Sequence, residues 1–330
     1  MSSSSPLPAE ITLQIVSCMF QQADLPTGAG AGQHPIHLRR ALWREIAGVT
    51  CANHSMRLFA FQLWFSTFLL RKPSDLRDGL RLFPSLPLWV SRLFITISYT
   101  WAESDLSVFS EFQRLEEVAF IEHNDASPAE GHMFLIEALQ RIPRTRLTHL
   151  CCSFADTEYL GSAWPYLGEF PQLQELRLLV CSPASCARRP RLPRLALAEV
   201  RMPLLEDINV EIMSQALARS PKLRKLYTGV FTISRGSLLM HWGTHELERR
   251  NSLQYDPWAS DCLQCRTDAV SEARRQAELA SFALAKNVLS LQHIEWSSWF
   301  APMKGGTLAL DVTRDEYGEI IDMGPVFYGL

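Results

Sequence analysis

The sequence predicts an α/β protein in two parts, a module of three helices near residues 1–72 and a long array of strand–helix repeats over 73–330. A helix-start pattern at Leu7-Pro8-Ala9-Glu10-Ile11 predicts the first part, and a recurring frame of Leu-x-x-hydrophobic-x-hydrophobic predicts the second. The composition agrees, because a chain of 330 residues with 47% hydrophobic and 20% charged residues can bury a core in each part.

The first predicted helix runs from Pro8 to Phe20. Pro8 suits the first turn of a helix, where its missing amide proton would have no intrahelical acceptor, and Glu10 complements the positive N-terminus. Ile11 and Ile15 lie four residues apart, so the helix presents them on one apolar face.

A glycine-rich stretch then interrupts the module. Residues 21–37 include Gly28-Ala29-Gly30-Ala31-Gly32, whose backbone entropy disfavours regular structure, so we expect a surface loop. It is not a dinucleotide-binding turn, since no strand precedes it and the spacing G-x-G-x-x-G is absent. Helical periodicity resumes over 38–49, and an apolar, aromatic-rich stretch predicts a further helix over 53–70.

The repeat frame occurs six times, with a looser member at Val90, Leu93 and Ile95. Its six first positions are Leu115, Leu147, Leu173, Leu205, Leu223 and Leu291. Counted from Val90, the steps are 25, 32, 26, 32, 18 and 68 residues, which bracket the period of leucine-rich repeats at first and then depart from it. Each frame predicts a short strand whose alternating residues face a shared core, with a helix behind it. The sequence therefore predicts a degenerate leucine-rich-repeat solenoid.

The segments between the frames predict helices and a closing hairpin. A capping box at Ser127-Pro128-Ala129-Glu130 opens a helix that should end before Pro143. Two more helices are predicted over 214–219 and 267–287. Asp315 to Gly318 predicts the turn of a C-terminal hairpin over 307–326, which would cover the exposed edge of the sheet.

The N-terminal residues carry a family resemblance. Leu7-Pro8-Ala9-Glu10-Ile11, Ile15, Val49-Thr50-Cys51 and the stretch from Met56 to Trp64 resemble an F-box, the three-helix module that joins substrate receptors to cullin-based ubiquitin ligases. The resemblance covers residues 7 to about 70, and it departs from the family at the 21–37 insertion and at His54, where a large aromatic residue is common. It implies adaptor contacts at Leu7, Pro8, Ile11, Ile15, Cys51 and Leu58.

The C-terminal region carries a second resemblance. Glu272–Lys286, Leu291–Trp296 and Val312–Ile320 are similar to the end of fungal, mushroom-type F-box proteins with diverged leucine-rich repeats. Together the resemblances imply a substrate-recognition subunit of a cullin-type (SCF) ubiquitin ligase. Its N-terminal helices would bind a Skp-family adaptor, and through it a cullin, while its repeats would bind an unidentified protein target. The alternative is an intracellular leucine-rich-repeat scaffold, outside any ligase, whose N-terminal helices only cap the solenoid.

Motifs for catalysis are missing from the sequence. It holds no phosphate-binding G-x-x-x-x-G-K-[ST] loop and no G-x-S-x-G elbow, and His245-Glu246 lacks the second histidine of a zinc protease helix. Cys262 and Cys265 have the spacing of metal ligands, but no second pair follows them. We therefore expect no enzymatic activity, no cofactor and no metal.

Charge and hydropathy exclude other classes. The net charge is −3, and the basic loop Arg188–Arg194 has no interleaved aromatic residues, so we expect no nucleic-acid partner. The most apolar run, Leu58–Leu70, is too short for a membrane span, and no secretory signal precedes it. We therefore expect an intracellular protein, cytoplasmic or nuclear, that does not bind membranes.

Overall fold

The computed structural model describes Gln14 and residues 43–52, 54–97, 101–122, 128–154, 157–180, 205–232, 263–297 and 307–326. Strands and helices alternate along these residues, and nine strands form one sheet in which every strand pairs with its neighbours in sequence. The predicted α/β class is confirmed. Of the first predicted helix only Gln14 is described, and the 21–37 insertion and the basic loop lie outside the described residues.

The nine strands share one order in sequence and in space. They are β1 (Thr67–Leu70), β2 (Arg92–Ile97), β3 (Glu117–Glu122), β4 (His149–Phe154), β5 (Glu175–Val180), β6 (Lys225–Phe231), β7 (His293–Ser297), β8 (Thr307–Arg314) and β9 (Ile320–Val326). Strands β1 to β7 are parallel, whereas β8 and β9 are antiparallel to their neighbours.

Helices connect the strands, as parallel pairing requires. The α-helices are α1 (Trp43–Ala52), α2 (His54–Phe65), α3 (Pro73–Leu82), α4 (Leu86–Trp89), α5 (Glu103–Ser107), α6 (Pro128–Arg141), α7 (Thr157–Leu167), α8 (Val210–Leu217) and α9 (Leu263–Asn287). Short 3₁₀ helices cover Val108–Glu111 and Leu205–Asp207. The helices predicted from the capping box and near the C-terminus are confirmed as α6 and α9, and the one predicted over 214–219 begins four residues earlier, as α8.

Three side chains of each parallel repeat build the main core. The first positions are Phe65, Val90, Leu115, Leu147, Leu173, Leu223 and Leu291, all buried. The second positions, aligned by strand register, are Phe68, Leu93, Val118, Leu150, Leu176, Leu226 and Ile294. The third are Leu70, Ile95, Phe120, Cys152, Leu178, Thr228 and Trp296. Nearly all of these side chains and the buried residues of the helices form one continuous hydrophobic core.

A repeated hydrogen-bond pattern fixes the register of the parallel strands. The carbonyl of Ser66 accepts from the amides of both Ser91 and Arg92, at 2.9 and 2.8 Å. The carbonyl of Ser91 does the same for Glu116 and Glu117, at 2.8 and 3.1 Å. Equivalent carbonyls belong to Glu116, Thr148, Gln174 and Arg224. Every parallel step of the sheet therefore begins with the same pair of bonds, whatever the length of chain between the strands.

The prediction of one helix over 53–70 is wrong. Helix α2 ends at Phe65, and Thr67–Leu70 is the first strand, paired with β2. Because Phe65, Phe68 and Leu70 satisfy the repeat frame, this apolar run serves the sheet, and periodicity alone cannot separate such a strand from a buried helix. The sheet therefore begins inside the stretch assigned to the helical module, 1–72.

The strand predicted at Leu205, Ile208 and Val210 is also wrong. Leu205–Asp207 forms a 3₁₀ helix, and α8 follows because the side chain of Asn209 accepts the amide of Ile212 at 3.1 Å, as an N-cap does. The other six predicted strands are confirmed, and the registered first positions are separated by 25, 25, 32, 26, 50 and 68 residues.

The predicted C-terminal hairpin is confirmed, and Arg314 ties it to α9. Nη2 of Arg314 donates to the carbonyls of Ala285 and Val288 at the end of the helix, and Nη1 donates to Gly318 at 3.0 Å. The side chain of Asp315 accepts the amides of Tyr317 and Glu319 at 2.9 and 2.8 Å. Gly318 has φ of 86°, a conformation that favours glycine. The hairpin is therefore fixed in place beside β7, the last parallel strand, and β8 pairs with the edge of β7.

Candidate interaction surface

The second face of the sheet carries the alternate side chains of each strand, which point away from the main core. A row of ionisable residues crosses this face, and strand register makes each the neighbour of the next. We call it the polar row: Arg92, Glu117, His149, Glu175, Lys225, His293 and Asp311. Acidic residues alternate with basic residues or histidine at every step except between Lys225 and His293. Opposite charges directly across a strand pair are stabilising, so the row supports this register.

The row next to it changes character across the sheet. On β2 to β4 it is apolar: Phe94, Ala119 and Cys151 are 1%, 1% and 8% exposed and cluster with Ile121. On β5 to β7 the same row continues as Arg177, Tyr227 and Glu295. The polar half of the second face therefore lies on β5 to β8. On β5 to β7 both rows carry polar side chains, and on β8 Asp311 continues the polar row.

Arg177 is held in place from two sides. Its Nε donates to Oε1 of Glu175 at 2.6 Å, and its Cζ lies 4.3 Å from the centroid of the Tyr227 ring. Burial alone would lower the pKa of Arg177, but the charge and hydrogen bond of Glu175 hold that pKa above its ordinary value. The guanidinium is therefore charged, and its plane is fixed by the carboxylate and the ring together.

His293 joins β7 to the hairpin. Its Nδ1 lies 2.7 Å from Oδ1 of Asp311, its Nε2 lies 3.8 Å from Oε2 of Glu295, and its ring is 5.7 Å from that of Tyr227. Glu295 raises the pKa of His293 most, burial lowers it, and Asp311 raises it further. Protonated His293 therefore links two carboxylates.

The surface is suited to recognition. Burial raises the pKa of the Cys151 thiol to about 12, so at neutral pH it is not a thiolate nucleophile. Within the described ranges no group of three or more His, Cys, Asp and Glu side chains could hold a metal ion. What the surface offers is an anchored arginine, an aromatic ring and fixed charges, which are typical of the centres of protein interfaces.

The predicted adaptor contacts fall partly on the described residues. Leu7, Pro8, Ile11 and Ile15 lie outside them. Cys51 is exposed near the end of α1, and Leu58 is 41% exposed on α2.

Helices α1 and α2 pack through a small separate cluster around Val49 and Ala60, with Met56, Phe59 and Leu63 against it. Nε of Arg57 donates to the carbonyl of Thr50 at 2.7 Å and adds a polar link. Cys51 and Leu58 are not members of this cluster, so both side chains remain available for contact.

The sequence interpretation missed the polar row and Arg177. The available signal was the pair of variable positions in each frame, as in Leu173-Gln174-Glu175-Leu176-Arg177-Leu178, where Glu175 and Arg177 alternate with core leucines. A comparison of these positions across all frames would have identified the polar row. The 68-residue gap before β7 separates His293 from the earlier members and hides the pattern.

The comparisons with known proteins add no relative: no protein-family model and no curated protein matches the sequence. In the described part of the chain, no helix is both long enough and apolar enough to cross a bilayer.

Proposed function

We propose that the chain is the substrate-recognition subunit of a cullin-type (SCF) ubiquitin ligase. Its N-terminal F-box-like helices bind a Skp-family adaptor, and its diverged leucine-rich repeats bind a protein target. The observation that carries the proposal is the pairing of two features: exposed Cys51 and Leu58 on a helix pair at one end, and a registered sheet with a charged and aromatic face behind it.

The repeat architecture supports a recognition role. Each strand pairs only with its neighbours, as in solenoids, and such arrays present extended surfaces made of many equivalent positions. The polar row and Arg177 provide charge and aromatic contact on that surface.

The helix pair supports adaptor binding through its solvent-facing residues. Leu58 is 41% exposed on α2, whereas Ala60 on the same helix is fully buried. Leu58 and Cys51 are both exposed, and the family resemblance assigns adaptor contacts to these two positions, which supports a docking face.

Co-purification of the full chain with a Skp-type adaptor tests this proposal. We expect the intact protein to retain the adaptor and Leu7→Asp, Ile11→Asp and Leu58→Asp each to reduce retention at least about tenfold, since a buried charge at an apolar contact is strongly unfavourable. Leu289→Asp is the matched control, because Leu289 is 70% exposed and lies far along the chain, before β7. No retention by the intact protein would refute the function, whereas retention unaffected by the three changes would refute the residue assignment.

The alternative is a scaffold outside any ligase, and one observation favours it. The end of α2 packs into an aromatic cluster in which Phe65 lies 4.7 Å from Phe83 and 6.3 Å from Trp89, between ring centroids. The helices therefore also cover the first repeat. A scaffold would fail to retain the adaptor, and the effect of Phe65→Ala would then be confined to the stability of the fold.

A further inference from the structure

We propose that Arg177, paired with Tyr227 across β5 and β6, and Lys225, two residues before Tyr227 on β6, bind a carboxylate group of a protein partner, from an Asp or Glu side chain or from a chain terminus. This inference rests on the proposed function, because the partner would be the target bound by the repeats. It adds the position of the contact, on strands β5 and β6, and the chemistry that is recognised.

The first observation is the free edge of the Arg177 guanidinium. Nε donates to Glu175 and Cζ lies 4.3 Å from the centroid of the Tyr227 ring, yet the side chain is 33% exposed. Among the described residues, neither Nη1 nor Nη2 has a hydrogen-bond or ion-pair partner. Two parallel N–H donors on a fixed plane match the two oxygens of a carboxylate.

The second observation is that this guanidinium is oriented before any ligand arrives. An arginine on a flexible side chain loses rotamer entropy when it binds, and the contacts of Glu175 and Tyr227 have already removed part of that freedom. The Glu175 carboxylate does not compete for the outer edge, because it is bonded at Nε.

The third observation is the local charge. Lys225 is exposed, neighbours Glu175 in the register, and has no side-chain partner within the described chain. Asp311 and Glu295 are turned to His293, at 2.7 and 3.8 Å. Arg177 and Lys225 together therefore exceed Glu175 by one positive charge, while the nearby Glu295 and Asp311 face His293, and this balance favours a single anion.

The surrounding acids favour a carboxylate over a polyanion. Glu117, Glu175 and Asp311 stand in the same polar row, and a nucleic-acid backbone laid across the sheet would meet each of them. A single carboxylate on a peptide contacts the guanidinium edge without being laid along Glu117 and Asp311.

Side-chain NMR of the full chain, labelled with ¹⁵N at arginine, tests the proposal. The probes are N-acetylglutamate amide for a side-chain carboxylate, N-acetylalanine for a terminal one, and N-acetylalanine amide as the uncharged reference. Arg177→Lys assigns the Arg177 signals and removes the bidentate fork. Arg219 is the internal control, because it is exposed and its side chain is likewise without a partner among the described residues.

We expect the Arg177 signals to shift saturably with at least one carboxylate probe, with an apparent Kd about tenfold lower than at Arg219, in line with one charge-assisted hydrogen-bond pair. The probe that binds tighter distinguishes a side chain from a terminus. Lys225→Gln should raise the Kd several-fold. Glu175→Gln should not weaken binding, because Gln can still accept from Nε and the change removes a negative charge.

Equal behaviour of Arg177 and Arg219, or an equal response to the uncharged amide, would overturn the proposal. Tighter binding of a single-stranded oligonucleotide than of both carboxylate probes would overturn it as well. Since the probes need no adaptor, loss of adaptor co-purification leaves this result unchanged, and the two proposals fail separately.

Discussion

Replacing Arg314 by methionine tests whether the C-terminal hairpin is fastened to helix α9. Methionine keeps the aliphatic stem and removes the three hydrogen bonds to the carbonyls of Ala285, Val288 and Gly318. Ala285 and Val288 are 0% and 1% exposed, so their carbonyls would lose a donor where water has poor access.

The expected loss follows from these contacts. Three hydrogen bonds at about 1 kcal/mol each give roughly 3 kcal/mol. Removing the guanidinium also relieves the burial of Nε, which has no partner within the described structure, and this offsets about 1 kcal/mol. We therefore expect a net destabilisation of about 2 kcal/mol.

Urea unfolding and hydrogen–deuterium exchange measure the effect together. The unfolding midpoint should fall, and amides of residues 282–292 and 307–320 should exchange faster, while those of β2 to β4 stay unchanged. Arg219→Met is the matched control, since Arg219 has no side-chain partner among the described residues. A midpoint equal to that of the control, with unchanged exchange at the hairpin, would refute this account of the hairpin.

Three further predictions concern packing and pH. Gly168→Ala would place a Cβ 2.1 Å from the carbonyl oxygen of Ala216, so α8 must move and stability should fall by about 1–3 kcal/mol in thermal unfolding; Gly161→Ala, with nothing within 4 Å, should show no such loss. Ser281→Ala leaves Nε1 of buried Trp296 without its 2.8 Å acceptor, so the free energy of unfolding should fall by about 1–3 kcal/mol. Ser281→Thr keeps a hydroxyl acceptor and should retain most of the stability. Since the folded-state pKa of His293 is raised, its stabilising contribution is present in full below the unfolded pKa of about 6.5 and is lost as pH rises through the folded value. Urea midpoints between pH 5 and 9 should therefore decline more in the native protein than in His293→Gln; parallel curves would contradict the link between His293 and its two carboxylates.

The sheet was largely predictable because burial of each strand requires apolar residues at a regular spacing in the sequence. A residue such as Val118 or Leu176 must be apolar wherever a strand lies against the core, so its spacing survives in the frame. The two errors come from places where another rule decides. At Phe65–Leu70 an apolar run fits a helix and a strand equally well, and at Leu205 the N-cap of Asn209 starts a helix inside a frame that matches by chance.

The spacing of the repeats was harder to interpret, and the structure explains why it can vary. Steps of 25 residues near β2 and of 68 before β7 produce the same bifurcated bonds, at Ser66 and at Arg224. Closing a longer connection adds only about 0.6 kcal/mol for each doubling of its length, so long insertions between strands are tolerated. The register between neighbouring strands is set at the strand ends and is therefore independent of the number of residues between them. A search of the sequence for a constant repeat length would miss the last two repeats.

The candidate surface escaped prediction for a related reason. The residues that build this surface do not face the core, so packing does not constrain them to be apolar. Glu175 and Arg177 are compatible with the strand without being required by it. Their role depends on neighbours from other strands: Cζ of Arg177 lies 4.3 Å from the centroid of the Tyr227 ring, and His293 contacts Asp311 across an antiparallel pair. A register shift of two residues in one strand would break the polar row, although the same alternation of core-facing and outward-facing side chains would remain. The arrangement of charges on the second face is thus a property of the register between strands, and only a description of the pairing reveals it.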